Sequence, residues 1–204
     1  MERIEINDGL IMLATAGQEG VYMHLMPDDL ECLEDVQSHA RRAEIATWRA
    51  LVRMEMGGVD IYYDAVGRPV VSPGGKWNYI GVTHTGGRVA VIFSGNPCAI
   101  DMELTTRDFS RAMPRFLSQG ERLLPEVDDP LFLPAVWCAK ETLYKLIGRP
   151  GADFIGDMRI EAVDFSANVI FAAVSDDDGW TSYPLNIIHH PQDGLLIVYS
   201  TLHS

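Results

Sequence analysis

Two short segments carry charged side chains at spacings that could do chemistry. The first, "AIDME" over residues 99–103, places Asp101 and Glu103 two positions apart. Side chains two apart on a β-strand share a face, and two carboxylates on one face repel each other unless a cation lies between them. Mg²⁺ is a hard ion that prefers such oxygen ligands and keeps waters or substrate phosphates as its other ligands. Taken alone, the pair also suits a solvated polar face on an edge strand.

The second segment is "WCAKETLYKL" over residues 137–146, which has the pattern of a helix. Glu141 and Lys145 lie one turn apart and therefore share a face of this helix. Lys140 precedes Glu141 directly, about a quarter turn around, and would face a different partner. Taken alone, Glu141 and Lys145 also suit an ordinary surface ion pair, which contributes little to stability.

The elements that must position these side chains follow from apolar periodicity and turn residues. The first half predicts strands over 10–15 and 21–26 and a helix over 28–56, followed by the segment "DIYYD", a turn in "AVGRP", and a hairpin of 79–84 and 88–94. The second half predicts the strand "CAIDMEL", helical segments over 107–124 and 131–147, and strands over 157–165, 168–174, 181–189 and 194–201. We therefore expect an α+β fold of two similar, pseudo-two-fold related lobes, 1–96 and 97–204, each a helix packed on a small, mainly antiparallel sheet.

Composition narrows the class of protein. The net charge of −13 over 204 residues argues against a nucleic-acid partner, since phosphate backbones require a basic surface. Most Lys and Arg residues lie in 40–150, where an anionic ligand would be least repelled. The chain has no apolar stretch long enough for a membrane span and no secretory signal pattern, and its three cysteines form no CxxC motif. These features predict a reduced, cytoplasmic protein without a zinc site.

In order and combination, the two segments resemble the paired signature of the 4′-phosphopantetheinyl transferase superfamily. That signature is a Gly-hydrophobic-Asp-x-Glu strand followed by a Trp-x-x-Lys-Glu-x-x-x-Lys helix. Upstream, "RRAEIATWRAL" (41–51) resembles the family's Arg-rich helix, "YDAVGRPVV" (63–71) its Asp-x-x-Gly-Lys/Arg-Pro turn, and "GVTHTGGRVAVIFS" (81–94) its Asn-x-Ser-His-Ser strand. The resemblance spans residues 41–148. Length and two-lobed plan resemble the Sfp-like, pseudo-dimeric branch.

The chain departs from the family pattern at uncharged positions. Ala99 replaces the glycine before the Asp, Gly81 replaces the Asn, and Thr83 and Thr85 replace the serines. Threonine keeps the hydroxyl group, and none of these changes removes a charged group. The resemblance therefore extends to all the charged positions of the paired signature.

The resemblance implies that the phosphopantetheine arm of coenzyme A is transferred to a carrier-protein serine, releasing adenosine 3′,5′-bisphosphate. Asp101, Glu103 and Glu141 would hold Mg²⁺, Glu141 would act as the base directly or through a water, and Lys145 would meet the leaving phosphate. The partners would be acyl or peptidyl carrier proteins of fatty-acid, polyketide or nonribosomal peptide biosynthesis. Two pseudo-symmetric lobes would let a monomer suffice.

Further residues are implied in coenzyme A binding. His84 would contact a phosphate with Thr83 beside it, and one arginine of the basic helix would meet the 3′-phosphate. For Arg49, a structural pair with an acid is the alternative. The full coenzyme A set is Arg42, Arg49, Arg68, Thr83, His84 and Lys140.

The segment 107–124 mixes arginines with apolar residues and would suit an acidic carrier protein, although its apolar side chains also suit a core. Three other functions stay open: a coenzyme A- or carrier-binding homologue without turnover, another Mg²⁺-dependent phosphoryl or nucleotidyl enzyme, and a structural α+β protein. The second of these lacks a GxxxxGK[ST] phosphate loop.

Overall fold

The computed structural model describes residues 1–73 and 75–202. Its contacts divide the chain into two compact units, Met1–Cys98 with Thr201 and Leu202, and Ala99–Ser200. Each unit packs one long helix on an antiparallel sheet. The predicted α+β fold class is confirmed.

The first unit is built on a four-stranded antiparallel sheet in the order β1-β2-β6-β5. Its elements are β1 Glu2–Ile6, β2 Gly9–Thr15, α1 Pro27–Glu31, α2 His39–Met56, β3 Ile61–Tyr63, β4 Pro69–Val71, β5 Tyr79–Thr85 and β6 Arg88–Ser94. The predicted hairpin is β5–β6, and Gly86 and Gly87 form its turn with φ of 53° and 75°. Both values lie in the left-handed region that a two-residue hairpin turn requires and that glycine adopts without strain.

Helix α2 covers one face of this sheet. It begins after Ser38, whose hydroxyl accepts a hydrogen bond from the Arg41 backbone N–H at 3.3 Å, and it ends at Gly57, where φ is 71°. Its apolar stripe packs with the inward residues of β2 and β6 to form the core: Trp48, Leu51 and Val52 against Leu10, Met12, Val91 and Phe93.

Two predictions for the first unit were wrong. The helix predicted over 28–56 is two helices, because the chain turns between α1 and the cap at Ser38. The strand predicted over 21–26 is a single 3₁₀ turn, Tyr22–His24. That stretch buries only Val21, so it lacks the alternating buried face that holds a strand in a sheet.

The second unit has a five-stranded sheet in the order β7-β11-β10-β9-β8. Its elements are β7 Cys98–Leu104, α3 Phe132–Ile147, β8 Met158–Asp164, β9 Val169–Asp176, β10 Gly179–His190 and β11 Leu195–Thr201. The sheet order places β7, the strand of the two acids, beside the last strand of the chain. Helix α3 packs on the sheet through Val136, Ala139 and Leu143, and it ends at Gly148 in the left-handed conformation.

The predicted helix over 107–124 was wrong. This segment contains short 3₁₀ turns, Met113–Arg115 and Glu121–Leu123, and a third follows at Pro125–Asp128. Pro114, Gly120 and Pro125 interrupt any longer helix. The apolar residues of the segment are anchored in the core, since Phe109, Phe116 and Leu117 are all buried. Apart from Leu123, which is 85% exposed, its exposed surface is formed mainly by polar and basic side chains.

None of the helices in the described parts of the chain is both long and apolar enough to cross a membrane.

Candidate active site

Strand β7 presents its two acids on one face, as its alternation predicts. Asp101 and Glu103 are each 7% exposed, while Ile100 and Met102 pack on the other face. The Lys145 ammonium donates to Asp101 Oδ1 at 2.7 Å and to the Ile100 carbonyl at 2.9 Å. Two neighbouring carboxylates repel each other unless positive charge lies between them. The Lys145 ammonium supplies that positive charge for Asp101.

Glu103 is neutralised by a different cation. The Arg107 guanidinium, four residues further along the chain, donates to Glu103 Oε2, and the Leu104 backbone N–H donates to Oε1 at 2.9 Å. Arg107 also lies over the ring of Trp137, with 4.7 Å between the guanidinium carbon and the ring centroid. The aromatic ring thus helps to fix the arginine that holds Glu103.

Glu141, on α3, completes the acidic cluster that Asp101 and Glu103 begin. Burial raises the pKa of Glu141, and the Asp101 carboxylate raises it further, against the opposing charges of Lys145 and Arg107. No residue in the described parts of the chain donates a hydrogen bond to the Glu141 carboxylate. Glu141 is therefore the member of the cluster with no direct cationic partner, and its negative charge is the least stabilised.

The expected ligand geometry for Mg²⁺ is not what the structure shows. Within residues 1–73 and 75–202, no group of three or more His, Cys, Asp or Glu side chains is arranged to hold a metal ion. The physical reason is that Asp101 and Glu103 point their oxygens at Lys145 and Arg107. The donor chemistry nonetheless fits a hard cation, because three carboxylates influence one another here and that of Glu141 lacks a donor.

Lys140 lies apart from this cluster, contrary to its expected contact with coenzyme A. Its side chain is fully buried, and its ammonium binds the Glu121 carboxylate and the carbonyls of Phe116 and Phe154. Adjacent positions on a helix are about 100° apart, so Lys140 points into the core while Glu141 reaches β7. We therefore remove Lys140 from the ligand-contacting set.

In the first unit, His84 on β5 meets two charged residues of α2. The Glu44 carboxylate lies 3.3 Å from His84 Nδ1, and the Arg41 guanidinium contacts His84 Nε2. An arginine can only donate, so Nε2 accepts and Nδ1 carries the proton that faces Glu44. Half of the Arg41 side chain and 38% of the His84 side chain are exposed. Both side chains are therefore accessible from solvent.

Three other residues of the expected coenzyme A set make contacts within the first unit or are buried in it. Thr83 is buried, because neighbouring residues of a strand point to opposite faces. The Arg42 guanidinium donates to the Val36 carbonyl at 2.7 Å and braces the turn before α2. Arg49 is buried against Asp29 at 2.6 Å, which is the structural ion pair that the sequence left open.

Arg68 lies in a turn organised by Asp64. Asp64 accepts hydrogen bonds from the backbone N–H of Arg68 at 2.9 Å and of Val66 at 3.0 Å, and it pairs with the Arg68 guanidinium at 2.8 Å. The backbone hydrogen bond from Arg68 is the main cause that lowers the pKa of Asp64. With 44% of its side chain exposed, Arg68 remains accessible from solvent.

The segment that carries the acidic cluster matches a known family. Residues 97–194 match the model of the 4′-phosphopantetheinyl transferase superfamily. These residues, slightly less than half of the chain, are similar to that superfamily. No curated protein matches the chain. The family match supports phosphopantetheine transfer as the general activity, with coenzyme A and carrier proteins as the general partners.

Two ion pairs, one in each unit, were not expected from the sequence. Arg107 was assigned only to docking, although its position four residues after Glu103 placed it within reach of that acid. Arg41 was not chosen over Arg42, although its spacing from Glu44 is that of a helical ion pair on one face. In both cases the signal was the spacing between a base and an acid.

Proposed function

We propose that this chain is an Sfp-like, Mg²⁺-dependent 4′-phosphopantetheinyl transferase that loads the serine of an apo carrier protein from coenzyme A. The observation that carries the proposal is the cluster of Asp101, Glu103, Glu141 and Lys145 inside the family-matched segment. Glu141 in particular is a carboxylate that burial makes more basic than usual and that no described residue neutralises directly.

The reaction requires a base. The serine oxygen attacks the phosphorus that carries the pantetheine arm, the bond from that phosphorus to the bridging oxygen breaks, and adenosine 3′,5′-bisphosphate leaves with the electron pair. A serine hydroxyl is a weak nucleophile at neutral pH until its proton is removed. A raised pKa makes Glu141 a stronger base than an exposed glutamate, and because a bound Mg²⁺ would lower that pKa, removal of the proton through a water is favoured.

The departing phosphate requires positive charge. Lys145 keeps 30% of its side chain exposed while it binds Asp101, so its ammonium is accessible to an anionic substrate. Asp101, Glu103 and Glu141 would hold the Mg²⁺, which supplies charge neutralisation at the pyrophosphate when bound. Most of the rate enhancement would then come from positioning and charge, as in other phosphoryl transfers.

The basic side chains of the first unit suit the phosphates of coenzyme A. Arg41 and His84 are exposed neighbours, and the Arg41 guanidinium keeps N–H donors beyond the nitrogen that contacts His84 and Glu44. Arg68 extends from a turn whose backbone Asp64 fixes. Arginine is suited to phosphate because its planar fork can donate two parallel hydrogen bonds. We therefore assign phosphate binding to Arg41, His84 and Arg68, and a bracing role to Arg42 and Arg49.

The irregular segment 107–124 offers a docking surface for an acidic carrier protein. Arg111, Arg115 and Arg122 are exposed, and none of them makes an ion pair within the described parts of the chain. Leu123, beside Arg122, is 85% exposed. In a protein of net charge −13, this local cluster of arginines would attract an acidic partner and leave coenzyme A binding unaffected.

Removing these arginines is expected to weaken carrier recognition selectively. The triple variant Arg111→Ala/Arg115→Ala/Arg122→Ala should raise KM for the apo carrier roughly tenfold, because each exposed charge contributes modestly to association. It should also flatten the dependence of that KM on salt, while KM for coenzyme A stays within about twofold. The control is Arg159→Ala, an exposed arginine on β8. A raised KM for coenzyme A, or an unchanged KM for the carrier, would contradict this surface.

Transfer itself is tested by weighing carriers. The protein is incubated with coenzyme A, Mg²⁺ and a panel of apo carriers from fatty-acid, polyketide and peptide-synthetase systems, and each carrier is then weighed. A gain of one phosphopantetheine group, abolished by EDTA and by a Ser→Ala carrier, supports the proposal. Binding of coenzyme A without any mass gain across the panel would leave a homologue without turnover as the better account.

A further inference from the structure

Helix α3 carries a buried ion pair outside the reacting cluster. The Lys140 ammonium lies 2.7 Å from Glu121 Oε1, 2.7 Å from the Phe116 carbonyl and 2.6 Å from the Phe154 carbonyl. The side chains of Lys140 and Glu121 are 0% and 2% exposed. A charged pair removed from water to this degree is costly to bury unless all its hydrogen bonds are made.

Those hydrogen bonds are made. An ammonium has three donors, and here two carbonyls and a carboxylate take them. Glu121 also accepts from the backbone N–H of Ser118 at 2.7 Å and of Ile160 at 2.8 Å. The Ser118 hydroxyl in turn accepts a hydrogen bond from the Glu121 backbone N–H at 3.2 Å. No donor of Lys140 is left for a substrate phosphate.

The pair joins α3 to three parts of the second unit, two of which have little regular structure to hold them. Through Phe116 and Ser118 it holds the irregular segment after β7, through Phe154 the turns after α3, and through Ile160 the start of β8. A hydrophobic side chain at position 140 could fill the volume, but it could not donate to the carbonyls of Phe116 and Phe154 or to the Glu121 carboxylate.

The consequence for the reacting cluster follows from helical geometry. Glu141 is the next residue, so its direction is fixed about 100° from that of Lys140. Lys145, one turn beyond Glu141, donates to Asp101 at 2.7 Å. Its direction depends on the rotation of α3 about the helix axis in the same way as that of Glu141. Any rotation of α3 about its axis would move both side chains relative to β7.

We infer that Lys140 is a positioning residue: its ion pair with Glu121 fixes the rotation of α3 and thereby holds Glu141 and Lys145 against the two acids of β7. The inference rests on the proposed function for its kinetic consequence. It assigns Lys140 no contact with coenzyme A.

The test uses the full chain and a double-mutant cycle. Lys140→Met leaves Glu121 buried without its cation, so the Tm of this variant should be roughly 10 °C below that of the wild type. The Tm of Glu121→Gln should be lowered by a similar amount. The double variant Lys140→Met/Glu121→Gln removes both buried charges but leaves the two carbonyls without their donor, so it should regain part of the lost Tm and show coupling between the two sites. Additive losses of Tm would overturn the pairing.

Two readouts on the double variant separate positioning from a purely structural role. Its kcat for transfer should be about tenfold lower while the Kd for coenzyme A stays within about twofold. In a crystal structure of this variant, the Lys145–Asp101 contact should be lengthened or lost. A double variant with wild-type kcat and an unchanged Lys145–Asp101 contact would overturn the inference.

A direct role in binding would look different. If Lys140 contacted coenzyme A, Lys140→Met would raise the Kd for coenzyme A at least tenfold and Glu121→Gln would leave it unchanged, which would also overturn the inference. Failure of the proposed function can be distinguished from failure of the positioning role, because in the first case the wild-type protein would transfer no phosphopantetheine. The crystallographic comparison would still decide whether the ion pair positions α3.

Discussion

Replacing Glu141 with glutamine is expected to lower kcat for phosphopantetheine transfer by at least about a hundredfold. The substitution keeps the size and hydrogen-bonding shape of the side chain but removes the basic oxygen that would take the serine proton. It also removes one of the three negative charges of the cluster. Initial rates of carrier modification, measured by mass spectrometry at saturating coenzyme A, give the result directly.

The loss should not come from unfolding. Burial raises the pKa of Glu141, so its charged form is less stable in the folded chain than in the unfolded chain. The cost of that charge is present above the folded pKa and disappears as the pH falls below the unfolded value. Glu141→Gln should therefore have a Tm at neutral pH equal to or above that of the wild type. The control is Glu126→Gln, which changes a glutamate of the nearby 3₁₀ turn. Retention of more than about a third of the wild-type rate by Glu141→Gln would contradict its role.

The second large effect concerns the stability of the first unit. Asp29→Ala is expected to lower the free energy of unfolding by about 3–5 kcal/mol, because it leaves two buried arginines without their carboxylate. Asp29 is fully buried and accepts from Arg49 at 2.6 Å and from Arg53 at 2.7 Å. Urea denaturation followed by circular dichroism measures the change.

A neighbouring acid provides the matched control. Asp28 also pairs with Arg53, at 2.7 Å, but its side chain is 57% exposed. Asp28→Ala should therefore cost less than about 1 kcal/mol. Equal losses for the two variants would show that burial of the ion pair is not what makes Asp29 important.

The pH dependence of this effect has a defined sign. Burial alone would raise the pKa of Asp29, but hydrogen bonds from Arg53, the Met26 backbone N–H and Arg49 outweigh it, and the pKa is lowered. An acid with a lowered folded pKa contributes stability above its unfolded pKa, and that stability is lost as the pH falls through the folded pKa. The difference in stability between the wild type and Asp29→Ala should therefore narrow on acidification.

Local periodicity predicted the placement of the candidate site residues well. Strand alternation placed Asp101 and Glu103 on one face, and helical spacing placed Glu141 and Lys145 together on α3. The hairpin at Gly86-Gly87 and the strands of the second unit also followed from short-range pattern. These features depend on neighbours within a few residues, which a single sequence records directly.

The remaining features depend on partners that are distant in the sequence. Lys140 is buried because Glu121 and two carbonyls of irregular segments meet it, and Arg49 is buried because Asp29, twenty residues earlier, folds onto α2. The spacing of residues along a helix does not distinguish a buried lysine or arginine of this kind from one that is exposed to solvent. The segment 107–124 has apolar residues at helix-like spacings, but prolines and a glycine divide it and its Phe residues fill the core.

The sequence pattern likewise could not predict which cation binds each acid. Asp101 was expected to face a metal ion, and in the structure it binds Lys145; Glu103 binds Arg107. Both arrangements satisfy the same electrostatic requirement, since neighbouring carboxylates need positive charge between them. Repulsion between acids predicts that a cation is needed, without indicating which one.

The central claim is that Asp101, Glu103, Glu141 and Lys145 form the reaction centre for coenzyme A. A crystal structure with coenzyme A and Mn²⁺ tests it most directly, because the anomalous signal of Mn²⁺ locates the cation independently of the model. We expect one Mn²⁺ bound by the three carboxylates beside the pyrophosphate, with the Lys145 ammonium on a phosphate oxygen. Coenzyme A and Mn²⁺ bound away from these side chains would contradict the account.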